Sequence, residues 1–150
     1  MIKRLLVAIP VLILAGCEVN VDHPPDVEYL KMPGLEEMDL PFSTAVRVGD
    51  MLYLSGALGL DRETGSLVEG GIQPETQKTL ENISQTLEAF GSSMDNVVKC
   101  TVFLADIAEW PAMNEVYRTF FPNKPARSAL GASGLALNAR VEIECIGVIG

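Results

Sequence analysis

The strongest constraint on the fold is an eight-residue run, Val97-Val98-Lys99-Cys100-Thr101-Val102-Phe103-Leu104, in which only Lys99 is neither apolar nor β-branched. Successive side chains of a strand point to opposite faces of its sheet, so this run predicts a central strand that is covered on both faces. A chain of 150 residues can build one core around such a strand and is too short for two ordinary domains. One domain built on a sheet is therefore expected.

The residues before this run predict a hairpin followed by a second turn. The hairpin joins 44–48 to 51–56 through Gly49-Asp50, with glycine at the position that a type II′ turn prefers. The sequence Asp61-Arg62-Glu63-Thr64-Gly65-Ser66 predicts the second turn.

Two later stretches have helical spacing. The first begins at Pro74 and stops at Gly91. The second follows Asp106 as a possible cap, carries an aromatic stripe and ends at Pro122, and we interpret the stripe as core rather than as a ligand-binding surface. The periodic positions are Leu80, Ile83, Leu87 and Phe90 in the first helix, and Trp110, Met113, Val116, Tyr117, Phe120 and Phe121 in the second.

The last two predicted strands place charged residues in a pattern. By alternation, Arg127 shares a face with Ala129, and Glu142 shares a face with Glu144. An arginine beside carboxylates on neighbouring strands suits a site that clamps a small anion and moves a proton, because the guanidinium matches a carboxylate in bidentate geometry. A structural ion pair is the alternative, and the spacing alone favours it.

Together these elements indicate an α+β domain, with both helices packed on one face of a small sheet. The opposite face carries Glu142 and Glu144 among apolar residues. Because the run 97–104 is apolar on both of its faces, we expect this second face to be covered as well.

Net charge argues against polyanionic partners. The formal charge is -9, and without residues 1–16, which include Lys3 and Arg4, 9 basic and 20 acidic residues leave -11. Such a surface repels phosphate backbones and anionic headgroups. The sequence also lacks a basic patch with interleaved aromatic residues, so we expect no nucleic-acid partner.

The N-terminus has the form of a secretory signal: Lys3 and Arg4 precede an apolar run over 5–14, and Leu14-Ala15-Gly16-Cys17 follows. The run is about half of the ~20 residues that span a bilayer. The tetrapeptide resembles the bacterial lipobox, which predicts acylation of Cys17 and membrane attachment through this lipid anchor alone. The residue after Cys17 is Glu18 and not an aspartate, and by the same resemblance this gives no signal for retention at the inner membrane. We therefore expect the protein at the periplasmic face of the cell envelope, in the outer membrane.

These signals divide the chain into three parts. They are a signal peptide over 1–16, the lipid-attachment cysteine with an acidic, proline-bearing tether over 17–26, and the domain over 27–150, which opens with a possible short strand over 27–30.

The two remaining cysteines, Cys100 and Cys145, lie in apolar strand-like runs. We expect two buried thiols, and a disulfide between them is the alternative that an oxidising compartment would allow. The one histidine, His23, falls in the tether, so neither a cysteine nucleophile with a histidine partner nor a metal site is expected.

Four short motifs occur in order between about Pro41 and the C-terminus. They are Ser55-Gly56 after the hairpin, Asn114-Glu115-Val116-Tyr117 on the second helix, Pro125-Ala126-Arg127-Ser128, and Val141-Glu142-Ile143-Glu144. In this order and at this spacing they resemble the RidA (YjgF/UK114) family of imine and enamine deaminases. The resemblance implies a chorismate mutase-like fold with a mixed sheet, which forms a homotrimer around a central barrel and has its active sites in clefts between subunits.

The resemblance also implies a reaction, the hydrolysis of 2-imino or 2-enamino acids, such as 2-iminobutanoate and 2-iminopropanoate, to 2-oxo acids and ammonia without a metal or organic cofactor. By this resemblance Arg127 clamps the substrate carboxylate and Glu142, or alternatively Glu144, is the general base. Ser55 and Gly56 line the pocket, and Asn114 would come from the neighbouring subunit.

Two positions depart from the family pattern. Many members have a tyrosine where this chain has Phe42, which we include among the substrate-binding residues, and many have a cysteine at Ala129. A lipid-tethered copy outside the cytoplasm lies away from the usual source of imines. The rival interpretation is therefore a non-catalytic receptor for small carboxylates, or a holdase, on the same scaffold.

Overall fold

The computed structural model describes residues 26–35 and 38–150. The predicted signal peptide over 1–16, Cys17 and nearly all of the tether lie outside the described residues. No helix in the two described ranges is long and apolar enough to cross a membrane.

The described chain forms a six-stranded mixed sheet with two α-helices on one face, which confirms the predicted α+β class. The strand order is β1-β2-β3-β6-β4-β5; β4 and β5 are parallel, and the other neighbouring strands are antiparallel. Two parallel crossovers place the helices, α1 between β3 and β4 and α2 between β4 and β5. The elements are β1 (Val27–Leu30), β2 (Ala45–Val48), β3 (Met51–Leu54), α1 (Ile72–Ala89), β4 (Val97–Leu104), α2 (Trp110–Phe120), β5 (Ala126–Gly131) and β6 (Val141–Val148).

The hairpin is confirmed, because β2 and β3 pair across a loop of Gly49 and Asp50. Gly49 has φ +57°, whereas Asp50 is not among the described residues with positive φ, as a type II′ turn requires. The possible short strand over 27–30 is also confirmed as β1, which pairs with β2 at the edge of the sheet.

Helix α1 buries its predicted apolar stripe against the sheet. Leu80, Ile83 and Leu87 are almost completely buried, and burial of each side chain is worth roughly 1.5–3 kcal/mol. The helix begins at Ile72, two residues before the predicted start. Pro74 is tolerated in this first turn because the amide hydrogens there have no acceptor within the helix.

Asp106, expected as a possible cap of helix α2, instead caps the short 3₁₀ turn that precedes it, where its carboxylate accepts a hydrogen bond from the Ala108 amide at 2.9 Å. The N-cap of α2 itself is Glu109. The helix ends at Phe120, two residues before Pro122. Half of the six-residue stripe is buried, namely Met113, Tyr117 and Phe121, whereas Trp110 is exposed.

A buried carboxylate fixes the start of β6. Glu75 on α1 accepts hydrogen bonds from the Arg140 amide at 2.7 Å and from the Val141 amide at 3.3 Å. Because one carboxylate oxygen of Glu75 bonds to both amides, α1 and the first residue of β6 are held together. Glu142 is the next residue along this strand.

The prediction that β4 is covered on both faces holds for one face within a single chain. Cys100, Val102 and Leu104 are buried beneath the helices. On the other face, which we call the open face, Tyr29, Tyr53 and Leu130 are exposed large apolar residues.

The expectation of two free thiols is wrong, because Cys100 and Cys145 form a disulfide. They are 45 residues apart in the chain, but the antiparallel pairing of β4 and β6 makes them direct partners with their Cα atoms 4.1 Å apart. Both remain buried on the helix-covered face of the sheet.

Candidate active site

Arg127 lies near the start of the edge strand β5, on the face that the helices cover. It pairs in register with Cys100 on β4, whose side chain is buried on that face. Its Nη1 donates a hydrogen bond to Asn114 Oδ1 on α2 at 2.7 Å. Its Cζ also lies 4.6 Å from the centroid of the Tyr117 ring. We call Arg127, Asn114 and Tyr117 the arginine cluster.

The sequence predicts Tyr117 as part of the core stripe and of the Asn114–Tyr117 motif, and it does not predict the contact with Arg127. Its side chain is 6% exposed, and its ring also packs against Phe121, with the centroids 4.6 Å apart. Burial raises the pKa of Tyr117 to about 12, and the positive charge of Arg127 acts in the opposite direction. A usable signal was present in the sequence, since Asn114 and Tyr117 are three residues apart and therefore share one helix face.

The ion-pair alternative for Arg127 is wrong. Among the described side chains, no carboxylate lies within 4.0 Å of its guanidinium, whereas Arg47 and Arg140 pair with Glu28 and Glu109. Arg127 is half-buried, and its partners are a neutral amide and a ring. A cation in this state can accept an anion from solution without first breaking an internal pair.

Glu142 lies on the open face and forms a second group. It pairs in register with Phe103, and its carboxylate occupies the space beside Gly56, where an added Cβ would come 2.9 Å from Glu142 Cδ. Glu144 shares this face but is exposed to solvent. The position of its carboxylate beside Gly56 therefore favours Glu142 over Glu144 as the candidate general base.

Ser55 connects this group to the segment that carries Phe42. Its hydroxyl donates to the carbonyl oxygen of Ser43 at 2.7 Å, and its amide donates to the Thr44 carbonyl at 3.0 Å. Phe42 is 54% exposed. We call Glu142, Gly56 and Ser55 the glutamate cluster; Phe42 lies next to Ser43 on the segment that Ser55 binds.

The two clusters lie on opposite faces of the sheet. Strand β4 separates β5 from β6, so the expectation that Arg127 and the carboxylates lie on neighbouring strands is wrong. Asn114, expected from the neighbouring subunit, bonds to Arg127 within one chain, so a site formed between subunits would take these two side chains from the same copy. A sheet is one layer of backbone, and side chains on its two faces cannot close around one small molecule.

Metal ligands are not grouped in the described ranges, where no three His, Cys, Asp or Glu side chains are placed to hold an ion. The chemistry open to the two clusters is that of a cationic carboxylate binder and a proton acceptor.

The sequence matches the model of the family described as Endoribonuclease L-PSP over residues 37–149. It is 44% identical over 111 residues to the 2-iminobutanoate/2-iminopropanoate deaminase of Mus musculus, covering 73% of this chain and 82% of that protein. It is 41% identical over 110 residues to Reactive Intermediate Deaminase A, chloroplastic, of Arabidopsis thaliana, covering 73% of this chain and 59% of the length of that relative.

The fold is also similar to that of solved structures. The crystal structure of YyfA, a protein of the conserved Rid family from Yersinia pestis, superposes with a TM-score of 0.76 at 32% identity, covering 83% of this chain and 100% of the other. The order of the motifs, the mixed sheet with two helices on one face, and these similarities agree. The chain belongs to the RidA family.

Proposed function

We propose that the protein hydrolyses reactive 2-imino and 2-enamino acids, such as 2-iminobutanoate, to the 2-oxo acid and ammonia. The observation that carries the proposal is Arg127, a half-buried guanidinium without a carboxylate partner in the described chain, held by Asn114 and Tyr117. The relatives named as 2-iminobutanoate/2-iminopropanoate deaminases support the same reaction.

Arg127 binds the substrate carboxylate through two parallel N–H donors. This fixes the position of the adjacent C2 atom, which carries the C=N bond. Holding the reacting carbon in one orientation lowers the entropic cost of the attack by water.

Glu142 acts as the general base. Its carboxylate accepts a proton from a water molecule while the water oxygen bonds to C2 and the C=N π electrons move to nitrogen. The resulting carbinolamine loses ammonia after the nitrogen is protonated, and the C=O bond of the 2-oxo acid forms. One water is consumed and one ammonia is released, so the scheme uses no metal or organic cofactor.

The complete site requires two copies of the chain. Because the arginine and glutamate clusters face opposite sides of one sheet, a site is completed when the arginine cluster of one copy meets the glutamate cluster of the next. Three copies with their open faces turned inward would form a closed ring around a barrel. Such a ring would also cover the apolar residues that the open face exposes.

Phe42 is expected to favour substrates with apolar side chains. A phenylalanine on the segment beside Ser55 offers apolar surface and no hydroxyl donor to the pocket.

We also propose that the mature protein is anchored in the cell envelope through an acylated Cys17. The lipobox-like tetrapeptide supports this location. The Cys100–Cys145 disulfide supports it independently, because structural disulfides persist in oxidising compartments and are rare in the cytosol. Labelling with radioactive palmitate, lost in Cys17→Ser, tests the anchor; equal labelling of the two proteins would contradict it.

The test of activity generates 2-iminobutanoate in place with an amino-acid oxidase and follows 2-oxobutanoate. We expect the purified protein to accelerate its formation above spontaneous hydrolysis, and Arg127→Ala to remove the acceleration. Retained binding of 2-oxobutanoate without acceleration would instead support the carboxylate receptor. If the protein neither binds 2-oxobutanoate nor accelerates its formation, but suppresses the aggregation of an unfolded client protein, the holdase interpretation would be supported.

A further inference from the structure

We propose that Tyr117 is a positioning residue that sets the plane of the Arg127 guanidinium for the substrate carboxylate. This inference rests on the proposed function, because it concerns how the same arginine is prepared for binding. It assigns the role to the face of the ring and not to the hydroxyl group.

The first step of the argument is that the ring is fixed. Tyr117 is 6% exposed, and its ring packs against that of Phe121 at a centroid distance of 4.6 Å with a tilt of 40°. The guanidinium carbon of Arg127 lies 4.6 Å from the ring centroid on this rigid support. A cation at this distance is attracted by the negative face of an aromatic ring, and a planar guanidinium also stacks on it.

The second step is that the ring and Asn114 restrain different motions. Stacking restrains the tilt of the guanidinium plane, whereas the 2.7 Å hydrogen bond from Nη1 to Asn114 Oδ1 restrains rotation within that plane. A guanidinium has five N–H donors, and this is the one side-chain bond that Arg127 forms with the described chain. The edge formed by Nε and Nη2 is therefore left for bidentate binding of a carboxylate.

The third step separates the ring from its hydroxyl. The Tyr117 hydroxyl is buried and has no hydrogen-bond partner among the described residues. Burial raises the pKa of Tyr117 to about 12, so the hydroxyl is neutral at physiological pH. Because the hydroxyl carries no charge and makes no hydrogen bond, we assign it no part in orienting the Arg127 guanidinium. A phenylalanine at position 117 is expected to orient it equally well.

The experiment measures KM and kcat for 2-iminobutanoate, and Kd for 2-oxobutanoate, in the full chain. Tyr117→Phe should keep KM and Kd within about twofold, whereas Tyr117→Leu should raise both by roughly fivefold to thirtyfold, the range of a partly desolvated cation–π contact. A purely structural role would instead lower the active fraction, and so the apparent kcat, and leave KM unchanged. Phe90→Leu, at the end of α1, is the matched aromatic-to-leucine control.

A second series keeps the shape of the ring. Phenylalanines with one, two or three ring fluorines at position 117 withdraw electron density from the face without changing the packing, so KM and Kd should rise with each fluorine. Unchanged KM and Kd across this series and in Tyr117→Leu, with an active wild type, would overturn the inference alone. A wild-type protein that neither binds 2-oxobutanoate nor hydrolyses the imine would overturn the proposed function and the inference together.

Discussion

Arg127 and Glu142 point to opposite faces of one sheet, and strand β4 lies between the strands that carry them. No rotation of side chains brings the two groups around a small molecule in one chain. The proposed reaction therefore requires that each site combine the arginine of one copy with the glutamate of another.

Mixing two inactive variants tests this arrangement. Arg127→Ala and Glu142→Gln should each be inactive alone, and co-assembly from equal amounts should restore roughly a quarter of wild-type activity, since each site then draws its arginine and its glutamate at random from two kinds of copy. Activity is followed as 2-oxobutanoate formation after the variants are co-expressed with different tags. No recovery in a mixed assembly would place both groups in one chain.

Arg127→Ala should lower turnover by about 100-fold or more, because a misplaced substrate loses the benefit of orientation. Its unfolding free energy should fall by about 1–3 kcal/mol, since the side chain loses one hydrogen bond and its contact with the Tyr117 ring. Arg127→Lys, which keeps the positive charge but loses the two parallel N–H donors, should have an intermediate turnover rate. Arg47→Ala, on strand β2 next to the opposite edge strand β1, is the matched control and should keep full activity. Wild-type kinetics in Arg127→Ala would show that Arg127 does not bind the substrate carboxylate.

Gly56→Ala should reduce turnover with little effect on folding. The new Cβ would lie 2.9 Å from Glu142 Cδ, so the flexible carboxylate must turn away from its place. Because the obstacle is the end of a side chain and not backbone, the thermal midpoint should move by only a few degrees. Kinetics and thermal denaturation of Gly56→Ala and Glu142→Gln check this together, and an unchanged kcat in Gly56→Ala would show that this position of Glu142 is not the active one.

The presence of the Cys100–Cys145 disulfide and its effect on stability can both be measured. In a Cys17→Ser background, which leaves only Cys100 and Cys145, the denatured protein should show no free thiols until a reductant is added. Replacing both cysteines by alanine should cost about 2–5 kcal/mol of unfolding free energy. Thiol titration and urea denaturation measure the two effects, and two free thiols in protein taken from an oxidising compartment would contradict the pairing.

Tyr117 gives a prediction for alkaline pH. Its folded pKa is raised from 10.0 to about 12, so between these values the unfolded chain releases a proton that the folded protein keeps. Stability from this group is complete below pH 10 and is lost as the pH rises towards about 12, by up to about 2 kcal/mol. Tyr117→Phe should lose less stability over this interval. Urea denaturation of the two proteins across this interval checks the difference in stability. In absorbance at 295 nm, the wild type should show an ionisation step near pH 12 that Tyr117→Phe lacks. If both proteins lose the same stability and show the same absorbance steps, Tyr117 is not buried as described.

Local patterns predicted much of the secondary structure. The three- and four-residue spacing of Leu80, Ile83 and Leu87 predicted α1, the glycine of Gly49-Asp50 predicted the hairpin, and alternation placed Glu142 and Glu144 on one face. These features depend on side chains that are near in sequence, so periodicity and turn chemistry are sufficient. The motif around Arg127 also predicted the residue on which the proposed function depends.

The tertiary structure alone decided which of these elements meet. It inserted β4 between β5 and β6, which separated Arg127 from Glu142, and it paired Cys100 with Cys145 against the expectation of free thiols. It also placed the Tyr117 ring beneath Arg127. The physical reason is that strand order and register follow from the packing of two crossover helices on one face of the sheet, a long-range balance of buried surface that the period of a single strand does not encode.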